Sequence, residues 1–83
     1  MERITTRYEM ILSKNTMSER LKCVMVLYGD TIADLAKLLN RSEQTIYNKL
    51  NDAGTEFTRA EIAKIKDWYG LSKDEVDAIF FDY

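Results

Sequence analysis

Glu43, Gln44, Tyr47 and Asn48 are the residues of this sequence best equipped to act on another molecule. Gln44 and Asn48 stand four apart, so on a helix they share one face. Each side-chain amide joins a donor to an acceptor, the pairing that bonds bidentately to adenine in the major groove. Glu43 can accept from the cytosine amino group. Tyr47 can offer its ring to a thymine methyl or its hydroxyl to a phosphate. Arg41, Ser42, Thr45 and Lys49 flank this set, with Thr55, Thr58 and Arg59 further along, and their charges and hydroxyls suit phosphate oxygens. Contacts of that second kind fix register without reading sequence. A solvated helix surface would carry similar residues; for Glu43 the two readings stand level, whereas Gln44 and Asn48 favour the groove.

Other chemistries find little material. The chain has no histidine, which removes imidazole metal sites and imidazole acid–base catalysis. Three glycines cannot build a phosphate-cradling loop, and no nucleophile–base pair stands out. Asp74, Glu75 and Asp77 cluster in what reads as the first turn of a helix, where carboxylates complement the dipole rather than gather a metal. Cys23 is the only cysteine and falls inside a predicted helix, so a buried, inert thiol is expected. Trp68, Tyr69, Phe80 and Phe81 sit at helical spacing beside apolar residues, which points to core or dimer packing. Neither an enzyme nor a cofactor is expected.

The elements that must position the polar set lie within residues 31–50. Ile32, Leu35, Ala36 and Leu39 recur at i, i+3, i+4 and i+7, one face of a helix. Thr31 with Asp34 opens it as hydroxyl cap and first-turn carboxylate. Asn40 interrupts the pattern, and asparagine tolerates the left-handed conformation of a helix end. Ser42 then opens a second helix over 42–51, in which Ile46 and Leu50 share the inward face. Two short helices joined by a turn of about three or four residues form a helix-turn-helix.

The run Leu35-Ala36, Asn40, Ser42 and Thr45-Ile46 resembles the Cro/repressor-type, XRE-like helix-turn-helix of phage and bacterial transcription regulators. The likeness covers residues 17–81. It implies that Ala36 lets the two helices approach, that Ser42 caps the recognition helix and that Ile46 anchors that helix to the core. Three positions depart from the pattern. Asn40 replaces the usual turn glycine, Arg41 replaces an apolar turn residue, and Ile32 stands where many members carry a phosphate-binding glutamine. Arg41 therefore either lacks that contact or turns outward toward a phosphate. The resemblance implies an all-α, compact five-helix lambda-repressor-like domain. Such a domain would dimerise on a pseudo-palindromic operator in double-stranded DNA and act by occupying a promoter. The rival reading is a protein-interaction module that keeps the fold without binding DNA, such as an antirepressor. The acidic C-terminal third, Ile32 and Arg41 favour that rival, while Gln44, Asn48 and the flanking basic residues oppose it.

At 83 residues, 46% hydrophobic and without proline, the chain reads as one small helical domain. Its net charge of −2 is unevenly spread. Residues 1–28 are net positive, 29–51 neutral, and 52–83 carry the excess of acid, away from the polar set. That balance implies weak non-specific affinity for a polyanion.

Further caps mark further helices: Thr16 with Glu19, Thr58 with Glu61, and Ser72 with Glu75, stopped at Gly29 and Gly70. Their apolar stripes are Leu21, Val24, Met25 and Tyr28; Ile62, Ile65 and Tyr69 or Trp68; and Val76, Ile79 and Phe80. Asn51, Asp52 and Gly54 read as a turn. Val76, Ile79, Phe80 and Phe81 offer more apolar surface than one short helix can bury, which predicts an interface there. Residues 1–15 form an extension ahead of the 16–83 domain. They fit a strand, a helix or an arm carrying Arg3 and Arg7, and are expected to lie outside the core. No apolar run approaches membrane-spanning length and no signal peptide is evident, so no membrane partner is expected and the cytoplasm is the simplest compartment. With no enzyme expected, no small-molecule substrate is expected either.

Overall fold

The computed structural model describes residues 6–51 and 56–81, and among these the chain is all-helical. The six helices are α1 (Arg7–Leu12), α2 (Met17–Leu27), α3 (Ile32–Leu39), α4 (Glu43–Asn51), α5 (Arg59–Tyr69) and α6 (Lys73–Phe80). Each start follows from a hydroxyl that accepts an otherwise unpaired first-turn N–H. Thr6 accepts from Glu9, Thr16 from Glu19, Thr31 from Asp34, Thr58 from Glu61 and Ser72 from Glu75. At Thr31, Thr58 and Ser72 the acid answers by accepting from the cap's own backbone N–H, which completes the capping box.

Every helix sends at least one fully buried side chain to a common core. Ile11 comes from α1, Leu21 and Val24 from α2, Leu35 from α3, Ile46 from α4, Ile65 from α5 and Ile79 from α6. Each such side chain contributes about 1.5–3 kcal/mol by leaving water. The expectation that the first fifteen residues stand outside the core is corrected by Ile11. Thr6 caps a short helix that brings this residue in, and six helices share the core rather than five. Arg3 and Ile4 lie outside the described residues, as do Asp52, Gly54 and Thr55.

Arg7 fixes α1 to the far end of the chain. Its guanidinium forks onto the two Glu75 oxygens, with Nη2 to Oε1 at 2.7 Å. It also donates to the Tyr69 and Gly70 carbonyls at 3.0 Å each, the acceptors that α5 exposes as it ends. Arg7 is thus engaged inside the protein rather than reaching outward as an arm. Arg20 makes a similar tie, donating from α2 to the Lys14 carbonyl at 2.9 Å and to the Ala78 carbonyl in α6.

The apolar stripes hold except at Tyr28, and the choice between Trp68 and Tyr69 is resolved. Tyr28 is exposed rather than inward; its ring packs on Tyr69 with centroids 5.2 Å apart, and its hydroxyl accepts from Arg7 at 2.6 Å. Trp68 lies outside and Tyr69 inside, both donating to one oxygen of Asp30, at 2.9 and 2.8 Å. Burial, then Asp30, pushes the Tyr69 hydroxyl above the usual tyrosine range. Val76, Ile79 and Phe80 are all buried within their own chain, so the expected surplus of apolar surface at the C-terminal end reduces to Phe81. Cys23 is half-buried rather than buried and lines a groove between α1 and α2 with Met10, Lys14 and Lys22.

Candidate nucleic-acid interface

The turn between α3 and α4 is built on Asn40. Its backbone is left-handed, φ 56° and ψ 47°. That reversal lets the Arg41 N–H reach back to the Ala36 carbonyl at 2.9 Å, satisfying an acceptor that the ending helix would leave open. Ser42 begins the second helix. Its Oγ accepts from the Thr45 N–H at 3.1 Å, and its carbonyl accepts from the Ile46 N–H at 3.2 Å. Ala36 is buried on α3, α3 packs on α4, and Ile46 and Leu50 are buried on α4.

With Ile46 inward, the opposite side of α4 faces solvent. Glu43, Gln44, Tyr47 and Asn48 are all exposed. The Gln44 Nε2 donates to Asn48 Oδ1 at 3.0 Å, so the two amides lie side by side one helical turn apart. That bond engages one donor of Gln44 and one acceptor of Asn48, leaving further hydrogen-bonding capacity on each amide. Near the C-terminal end, Asn51 Nδ2 donates to the Tyr47 carbonyl at 2.9 Å and holds the last turn.

The flanking residues divide. Arg59 is exposed on α5, and Thr58 is exposed but engaged as its cap. Ser42 and Thr45 share a hydroxyl–hydroxyl bond of 2.9 Å. Lys49 differs from expectation: it is buried, and its ammonium is directed inward. Nζ donates to the Glu56 carbonyl at 2.9 Å and lies 3.3 Å from Glu61 Oε1. The reason is helical geometry. Lys49 follows Ile46 by three residues and precedes Leu50, so it starts from the inward side of α4. Its ammonium lies over the Phe57 ring, with Nζ 5.8 Å from the centroid.

Glu61 is the residue that sequence reasoning understated. It completes the α5 capping box, accepting from the Thr58 N–H at 2.8 Å. The same buried carboxylate also meets Lys49 of α4 and Arg41 of the turn, the latter through Nε at 3.2 Å. Burial works to raise the Glu61 carboxyl, but the Thr58 N–H, Lys49 and Arg41 outweigh it and hold the group below the usual carboxylate range. Three segments therefore converge on one anion. The signal available in sequence was the Thr58-to-Glu61 spacing alone, which shows the cap and not the two cations.

Among the described residues no group of acidic or thiol side chains is arranged to hold a metal ion, and no helix is long and apolar enough to cross a membrane. Compared with family models, with curated proteins and with solved structures, the chain matches none of them.

Proposed function

We propose that this protein is a sequence-specific DNA-binding regulator of the Cro/repressor type, which inserts α4 into the major groove of an operator. The observation that carries the reading is the outer face of α4. Gln44 and Asn48 stand adjacent and exposed there, on a helix whose orientation is fixed by the Asn40 turn and by Ile46. A rigid helix that presents paired amides between flanking hydroxyls and cations has the parts that direct readout requires. Gln44 and Asn48 read bases, with Tyr47 and Glu43 beside them. Arg41, Ser42, Thr45, Thr58 and Arg59 bind backbone phosphates. Lys49 leaves that set, because its ammonium is already held inside the protein. A homodimer on a two-fold operator, working in the cytoplasm, completes the proposal, and sedimentation with and without operator tests the dimer.

A second reading draws on specific observations. Glu43 lies in the first turn of α4 as an exposed negative charge, and Lys49 supplies no phosphate contact. Both favour a helix-turn-helix module that docks on protein rather than DNA. The experiment that separates the two is selection of a preferred duplex from a random pool, followed by titration of variants. Gln44→Ala and Asn48→Ala should each cost about 1–3 kcal/mol at the selected site, the range for a bidentate base contact, and should barely alter random-DNA binding. If both variants keep full affinity for the selected site, the base-reading assignment is wrong. If the wild type binds no duplex at low salt, the interaction-module reading takes its place.

A further inference from the structure

Two cations share one buried carboxylate at the base of the proposed reading helix, and they are not equivalent. Lys49 is almost wholly enclosed, its side chain 10% exposed, and the Glu61 side chain is 6% exposed. Arg41 is half in water, 50% exposed, and touches Glu61 through Nε to the second oxygen. Lys49 and the Thr58 N–H both lie on the first oxygen, Oε1. The buried negative charge of Glu61 is therefore already matched by one buried positive charge and one backbone donor before Arg41 is considered. Arg41 is the surplus cation.

We propose that Arg41 is a transferable phosphate ligand and that Lys49, which touches no DNA, is the residue that makes the transfer possible. In the free protein Arg41 rests on Glu61. On DNA its guanidinium moves to a backbone phosphate, while Lys49 and Thr58 keep the carboxylate neutralised. Arg41 is half in water, so its contact with Glu61 is partly screened, whereas a phosphate contact also releases a condensed counterion. Exchange of one for the other is thus favoured. Without Lys49, departure of Arg41 would strand an unpaired buried charge, so Arg41 would stay where it is. Lys49 is a positioning residue in this scheme, acting through Glu61. The inference rests on the DNA-binding reading above and adds to it a partition of roles between two basic residues.

The test is the salt dependence of binding to a random-sequence duplex, measured by fluorescence anisotropy, for the full chain and four variants. Each phosphate contact contributes about 0.9 to the slope of log affinity against log salt. Arg41→Ala should lower the slope by about that amount. Lys49→Met should lower it equally, although Lys49 is buried, and combining the two should lower it no further. Lys49→Met with Glu61→Gln should restore the wild-type slope, because nothing then holds Arg41 back. Both variants are compared where urea unfolding shows each fully folded, so that a recovered slope reports the release of Arg41 and not regained stability. A Lys49→Met slope equal to wild type, or a double variant that fails to recover, overturns the inference while leaving the DNA-binding reading intact. Should Lys49→Met not fold, Glu61→Gln and Arg41→Ala decide together: a slope unchanged by the first and lowered by about 0.9 by the second supports a transferable Arg41, and any other result overturns it. A wild type that binds no duplex at low salt removes both readings together.

Discussion

At the scale of single residues, Lys49 and Arg41 carry the same charge and sit eight positions apart, yet the fold treats them oppositely. Lys49 leaves α4 on the side of Ile46 and Leu50, and its ammonium ends against Glu61 and the Glu56 carbonyl. Breaking a buried pair leaves a charge uncompensated and costs about 3–5 kcal/mol. Because Arg41 still touches Glu61, Lys49→Ala should fall toward the lower end of that range. Arg41→Ala removes the half-exposed member and should cost no more than about 1 kcal/mol. Urea unfolding of the two variants checks the contrast, and equal losses would show that Glu61 draws on both cations alike. Gln44 and Asn48 belong with Arg41 here. Both are exposed, so alanine at either should leave stability within about 0.5 kcal/mol of wild type while affecting the proposed base contacts.

At the scale of elements, capping and periodicity were informative because both are local. Thr16, Thr31, Ser42, Thr58 and Ser72 each open a helix, and Asn40 is left-handed where the interrupted pattern required a stop. Asn40→Val should therefore cost about 1–2 kcal/mol in thermal or urea unfolding, since a β-branched residue is strained in that conformation. Asn40→Gly should be neutral or slightly stabilising. Long-range pairing was not legible. Arg7 reaches Glu75 across 68 positions, and Lys49 and Arg41 meet at Glu61, contacts to which no spacing rule applies. The same gap hid α1, since six residues give too few turns for periodicity to separate helix from strand. Ile11 makes the consequence measurable. Ile11→Ala should cost about 2–5 kcal/mol, as for other fully buried isoleucines. Removal of residues 1–12 should lower the melting temperature substantially. A truncated protein as stable as wild type would show that α1 only rests on the core. In the proposed interface, the outward placement of Gln44 and Asn48 followed from the position of Ile46. The burial of Lys49 followed from the same geometry, but charge alone had suggested the surface.

At the scale of the whole molecule, two carboxylates hold distant parts of the chain together. Glu75 ties α1 to the junction of α5 and α6 through Arg7, and Glu61 ties the turn and α4 to α5. The Arg7 fork, helped by the Ser72 N–H, holds the Glu75 carboxyl below its ordinary 4.5, against the opposing effect of burial. Glu61 is held below the same value despite burial, by Thr58, Lys49 and Arg41. A carboxyl with a depressed folded value stabilises the protein above its unfolded value and loses that contribution as pH falls through the folded one. Stability should therefore decline below about pH 4.5 as both ties are protonated. Tyr69 sets the opposite limb. Its hydroxyl is raised above 10.0, first by burial and then by its bond to Asp30, so the unfolded chain ionises before the folded one does. That contribution is complete below about pH 10 and is lost as pH rises further. With no histidine in the chain, these groups leave a plateau between the two limbs. Urea unfolding across pH 2.5 to 11.5 should trace that profile. Glu75→Gln should lower the plateau and flatten the acid limb, because the variant has one fewer carboxylate to neutralise. Tyr69→Phe should lower the plateau and flatten the alkaline limb. If Glu75→Gln keeps the full acid limb, then Arg7 and Glu75 do not hold α1 in place electrostatically, and Ile11 alone anchors the N-terminal helix.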